Sequence, residues 1–210
     1  MNTVFWNVDT QIDFMRPDGK LYVHGAEKIE ENLEEITRLA KKKNKKVVNS
    51  ADWHNENSAE LSKNPDFINT FPEHCMENTK GAEFIPATRP EENDYYITGW
   101  NYDRVKLKFV HKKRNLIIYK DKFDVFSGNK HTDEIVEALR IDRAIVYGVA
   151  TNVCVDFAVR GLAQRNIEVY VVEDAIKELP NMPLPYDDWS RLGVKRIKTK
   201  DIEKYLGEEK

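Results

Sequence analysis

Five short apolar runs set the frame for any fold this chain can adopt: residues 3–8, 46–50, 116–119, 144–147 and 169–172. Each has the length and character of a buried strand, and the segments between several of them carry helical periodicity. The clearest spans 26–43, where Ile29, Leu33, Ile36, Leu39 and Ala40 recur at three-and-four spacing, the mark of an amphipathic helix. Residues 132–139 and 152–164 read as further helices, and 201–206 as a terminal one. Strands separated by helices pair in parallel through crossovers. The expected class is therefore α/β, a doubly wound, mainly parallel sheet flanked by helices on both faces.

A chain of 210 residues suits one domain, 1–210. Its 33 Lys and Arg against 36 Asp and Glu point away from nucleic acid or an anionic membrane as the main partner and toward a small molecule. No apolar stretch approaches the ~20 residues needed to span a bilayer, and the first residues lack the pattern of a signal peptide. With two cysteines only, Cys75 and Cys154, a reducing cytoplasm with free thiols is expected. The stretch at about 51–115 is a mostly irregular insert, long enough to imply function. Within it, 105–109 fits an edge strand or a short helix equally, and the aromatic segment 93–102 has no assigned role.

In a doubly wound sheet, ligands bind beyond the carboxyl ends of the strands. Asp9 ends the first run, Asp52 follows the second, Lys120 ends the third, and 148–154 follows the fourth. Cys154 opens a helix there, where terminal N–H groups favour a thiolate. An acid, a cation and a thiol arriving from separate strands fit acyl transfer: Asp9 takes the thiol proton, Lys120 supplies positive charge, and helix N–H groups receive an oxyanion.

Four motifs resemble those of the isochorismatase-like cysteine hydrolases, most closely the nicotinamidase/pyrazinamidase branch. They are Asn7-Val8-Asp9-Thr10-Gln11-Ile12-Asp13-Phe14; Asp52-Trp53-His54; Phe71-Pro72-Glu73-His74-Cys75 running on to Gly81-Ala82-Glu83-Phe84; and Gly148-Val149-Ala150-Thr151-Asn152-Val153-Cys154-Val155. They follow the family order over almost the whole chain. The resemblance implies a triad of Asp9, Lys120 and Cys154, a cis peptide between Val149 and Ala150, an oxyanion hole formed by the N–H groups of Ala150 and Cys154, and a structural Asp13. Lys122, of opposite strand parity, is held as the alternative to Lys120.

Asp52, His54 and His74 carry donors suited to one divalent ion, Zn, Fe or Mn, and the two-residue spacing of the first pair puts both on one side of an extended segment. Where many nicotinamidases have another His, this chain offers Glu60, with Ser58 as a second choice. If neither reaches the ion, waters would complete the shell and favour Mn or Mg. Cys75 is read as structural, and His24, His111 and His131 as surface residues.

The resemblance implies hydrolysis of nicotinamide to nicotinic acid and ammonia through a thioester. Phe14, Trp53, Phe126 and Val149 are expected to line the pocket, in a homo-oligomer with no nucleic-acid or membrane partner. The alternatives are a relative acting on another small amide or carbamoyl compound, and a non-catalytic binding protein on the same fold.

Overall fold

A computed structural model describes residues 1–206. Its strands are β1 (Thr3–Val8), β2 (Val47–Asp52), β3 (Tyr95–Thr98), β4 (Asn115–Lys120), β5 (Arg143–Val149), β6 (Glu168–Lys177) and β7 (Lys195–Ile197). They form one sheet in the order β3-β4-β2-β1-β5-β6-β7, with every pair parallel. The helices are α1 (Ile12–Met15), α2 (Glu30–Lys42), α3 (Leu107–Lys112), α4 (Val125–Gly128), α5 (Thr132–Leu139), α6 (Cys154–Gln164) and α7 (Tyr186–Arg191). None among the described residues is long and apolar enough to cross a membrane.

The doubly wound arrangement follows from where the apolar residues lie. β1 and β2 are buried along their whole length, as strands covered on both faces must be. In α2 the buried residues are Leu33, Ile36 and Ala40, the inner stripe of the expected helix. It packs beside the 3-10 turns Ala26–Ile29 and Thr199–Tyr205, while α6 packs with α4, α4 with α5, and α5 with α3. These two helix groups cover the sheet. The helix expected over 26–43 is thus a 3-10 turn followed by α2, and the expected terminal helix is a 3-10 turn.

The chain leaves β1 toward β2 on one side and returns to β5 on the other, so the crevice beyond β1 is the topological switch point. Two edge strands, β3 and β7, had no clear sequence signature: each is short, and in β7 the exposed Lys195 and Arg196 precede a single buried Ile197. The ambiguous segment 105–109 gives way to α3. Gly148 takes φ +120 where β5 lies closest to β1, and a Cβ there would stand 2.0 Å from the Val8 carbonyl oxygen. Only glycine fits that position.

Candidate active site

Asp9, the first residue past β1, has φ +48, a left-handed conformation uncommon for a non-glycine residue. Its side chain is fully buried, and Ser50 Oγ donates to its Oδ1 at 2.7 Å. Asp52 and Lys120 are paired residues of neighbouring parallel strands, so their side chains rise on the same face, where the Lys120 ammonium donates to Asp52 Oδ1. The same ammonium lies 2.9 Å from Asp9 Oδ2 and 3.7 Å from Cys154 Sγ. Lys120 therefore occupies the centre of the three groups, and Lys122 is exposed.

Asp9 Oδ2 faces both the Lys120 ammonium at 2.9 Å and the Cys154 thiol, a position from which it can take the thiol proton. Burial pushes the Asp9 carboxyl above its ordinary value despite Lys120. Burial also pushes the Cys154 thiol well up; Lys120 opposes the rise, and Asp9 and Asp52 add to it. The helix terminus had suggested easy thiolate formation, but desolvation and two carboxylates outweigh it. Cys154 is a thiol at rest and needs a base. Lys120 is also buried, yet Asp52 and Asp9 overcome that cost and keep its ammonium charged.

The peptide between Val149 and Ala150 is cis, as expected. Cys154 is the first residue of α6, and among the described residues neither its N–H nor that of Ala150 is taken by a backbone carbonyl or a side chain. Both donors are open beside the thiol.

Asp52 also faces a second cluster. Its Oδ2 lies 3.7 Å from His54 Nε2 and 3.6 Å from His74 Nε2, and the three buried residues offer donor atoms within 4.8 Å of one another. Burial opposes ionisation of Asp52, but the Lys120 ammonium holds its carboxyl well below the usual range. His74 Nδ1 lies 2.7 Å from the Pro72 carbonyl; an N–H donated there leaves the Nε2 lone pair facing Asp52. Both ring nitrogens of His54 are buried without a partner. Orphaned imidazole nitrogens beside an ionised carboxylate fit a divalent ion. Asp9, Asp52 and Cys154 also lie within 4.8 Å of one another, but there the Lys120 ammonium supplies the cation.

Glu60 stands outside the compact trio. Its Oε1 accepts the Phe123 N–H at 2.9 Å, its Oε2 is buried without a partner, and burial pushes its carboxyl up to about 7. Ser58 Oγ accepts the Asn55 N–H. Asp13 is structural in a definable way. Its carboxylate takes the Cys75 N–H at 2.7 Å and the Lys20 N–H at 3.1 Å, tying down the loop that presents His74. Gln11 brackets Asp52, accepting its N–H and donating to its carbonyl, each at 2.7 Å. That bracket was not foreseen, although Gln11 lies inside the opening motif.

Above Cys154 opens a pocket with an empty volume of about 350 Å³. Phe14 lines it as expected, together with Phe71, Phe123, Val153 and Leu179, which sequence reasoning missed. Three expected lining residues lie elsewhere. Trp53 follows Asp52 and Tyr119 precedes Lys120, so alternation turns both rings the other way, where they stack at 4.1 Å. They line a separate groove with Trp100 and Tyr102 of the unassigned aromatic segment. Phe126 packs against Trp6, with the Arg165 guanidinium over its ring. Val149 is buried in the core, and its neighbour Ala150 reaches the pocket. Cys75 is buried as expected; His131 is buried too, within 2.7 Å of the Tyr102 carbonyl, and is not a surface residue.

Comparison with known proteins places this geometry. A family model described as "Isochorismatase domain" matches residues 3–110 and 104–182. The nicotinamidase of Escherichia coli (strain K12) is 25% identical over 193 residues, covering 84% of this chain and 83% of that protein. Among solved structures, the pyrazinamidase of Pyrococcus horikoshii in complex with zinc superposes with a TM-score of 0.70 at 25% identity, covering 94% and 99% of the two chains. N-carbamoylsarcosine amidase from Thermoplasma acidophilum gives 0.75 at 22% identity, covering 97% and 99%, a likeness of fold.

Proposed function

Since the chain belongs to the isochorismatase domain family of hydrolases, we propose that it hydrolyses nicotinamide, or a closely similar flat and uncharged aromatic amide, to the acid and ammonia through a thioester on Cys154. One observation carries the reading: Asp52 joins the Asp9–Lys120–Cys154 group to the His54–His74 pair, so a nucleophile and a metal-capable cluster open on one pocket.

Asp9 Oδ2 takes the thiol proton as Sγ attacks the amide carbonyl carbon. The N–H groups of Ala150 and Cys154 receive the oxyanion. Asp9 then returns the proton to the departing nitrogen, which leaves as ammonia. In the second half Asp9 takes a proton from water, the hydroxyl oxygen adds to the thioester carbon, and the thiol is restored with release of the acid. Lys120 keeps its charge throughout and holds Asp9 and Asp52 in place. Asp52, His54 and His74 would hold a divalent ion, Zn, Fe or Mn; when bound, it supplies a Lewis-acidic anchor for a ring nitrogen and so orients the carboxamide.

The pocket favours an uncharged substrate. Its walls are largely apolar, and the nearby Lys120 ammonium is already committed to two carboxylates. A substrate bearing its own carboxylate, as an N-carbamoyl amino acid does, would meet Asp9 and Asp52 without a free side-chain cation among the described lining residues. The test is ammonia release from nicotinamide by purified protein, with and without chelator, Cys154→Ala serving as the control. Turnover only of amides that are not flat, uncharged aromatic ones would overturn the substrate assignment.

A further inference from the structure

We propose that Glu60 is a positioning residue that fixes one aromatic wall of the pocket, formed by Phe71 and Phe123 in contact with each other; the proposal rests on the amide-hydrolase reading above. Glu60 is not itself in the pocket lining, yet it grips both residues of that wall. Its backbone carbonyl accepts the Phe71 N–H at 2.8 Å, and its side-chain Oε1 accepts the Phe123 N–H at 2.9 Å. The Ser62 N–H donates back to the Phe71 carbonyl at 2.9 Å, closing a two-bond bridge between the strand-like segments around 61 and 71.

The rings so placed meet edge to face, with centroids 5.6 Å apart and planes at 88°. That arrangement favours an aromatic pair and fixes both orientations. Phe123 is otherwise carried by the irregular stretch between β4 and α4, which has no ladder of its own to hold it. The carboxylate of Glu60 is the side-chain acceptor for its N–H. A flat ring bound above Cys154 would lie against this aromatic wall, whose placement depends on that bond. Loss of the acceptor should therefore weaken ring binding and leave the chemistry at Cys154 largely intact.

Three variants, Glu60→Ala, Glu60→Gln and Phe123→Ala, together with the Glu60→Ala/Phe123→Ala double, test the assignment with nicotinamide as the probe. Glu60→Ala should raise KM about ten-fold with kcat within about two-fold, the signature of lost uniform binding. Glu60→Gln retains an acceptor oxygen and should recover most of that loss. The double variant should be no worse than Phe123→Ala, since one residue acts through the other. Metal content should match the wild type in both Glu60 variants.

Hydrogen exchange at the Phe123 amide gives a readout independent of turnover: about ten-fold or more acceleration in Glu60→Ala and near-normal protection in Glu60→Gln. An unchanged KM in Glu60→Ala, additive losses in the double variant, or unchanged exchange would overturn the proposal. Metal loss in both Glu60 variants would make Glu60 a ligand instead. If the wild type turns over neither nicotinamide nor another flat, uncharged aromatic amide, the proposed reaction fails, and the exchange result alone decides whether Glu60 holds Phe123.

Discussion

His74 turns its Nε2 to within 3.6 Å of Asp52 Oδ2 while its Nδ1 is occupied at the Pro72 carbonyl. An N–H donated from Nδ1 to that carbonyl would leave Nε2 as the ligating nitrogen, which is how proteins orient a histidine ligand. His74→Ala or His54→Ala should cut metal affinity by about ten- to a hundred-fold or more. Metal analysis after dialysis checks this, and the fold, followed by circular dichroism, should survive. If chelator-treated wild type keeps full activity on nicotinamide, the metal has no part in the reaction.

Asp9 bears on Cys154 in two opposite ways. It raises the thiol pKa by its charge and hydrogen bond, and it is the proposed acceptor of the thiol proton. Asp9→Asn should therefore lower kcat by at least about a thousand-fold, as expected for loss of a general base that acts in both half-reactions. The same variant should alkylate faster with iodoacetamide near neutral pH, because its thiol ionises more readily. Cys154→Ala should be inactive and should lose the pH-dependent labelling. Parallel loss of labelling and turnover in Asp9→Asn would show a collapsed site.

At Gly148 the prediction concerns stability. Alanine there would combine a φ of +120 with a Cβ 2.0 Å from the Val8 oxygen, and the obstacle is backbone that cannot swing aside. Gly148→Ala should lose about 3 kcal/mol or more, or fail to accumulate as folded protein. Urea unfolding of the two proteins side by side measures it.

The acid limb of stability has a named contributor in Glu168. Partial burial pushes its carboxyl up, but Lys195 at 2.7 Å, Arg143 at 2.5 Å and the Tyr170 hydroxyl at 2.8 Å hold it down to about 2. The folded value lies below the unfolded one of ~4.3, so the stabilisation is present above that value and fades as pH falls toward 2. Glu168→Gln should be less stable than the wild type near neutral pH, and the gap should close on acidification. Unfolding midpoints across that range test the sign.

Much of the sheet could be read from the sequence because buried parallel strands are written as continuous apolar runs, and five of the seven strands are. The two that were missed, β3 and β7, are edges whose pairing depends on a neighbour more than on their own composition. The groups at the strand ends were legible for a topological reason: Asp9, Asp52, Lys120 and Cys154 all lie where a doubly wound sheet opens. The pocket walls were not. Trp53 directly follows Asp52 and so turns to the opposite face, and Phe126 lies in α4 and packs on Trp6, whereas Phe71, Phe123 and Leu179 reach the pocket from loops whose course is fixed by tertiary hydrogen bonds. The merging of the two charged groups through Asp52 was also invisible, since it depends on the register between β2 and β4.

That register has a consequence for how the molecule assembles. Asp52 and Lys120 are 68 positions apart in the chain and become partners only when β2 and β4 align. Slipping one strand by a single residue would turn Lys120 to the opposite side of the sheet and leave Asp9 and Asp52 buried with no cation between them. Mispaired sheets therefore carry an electrostatic penalty that the correct pairing escapes, and the buried charges act as a proofreading device for strand alignment.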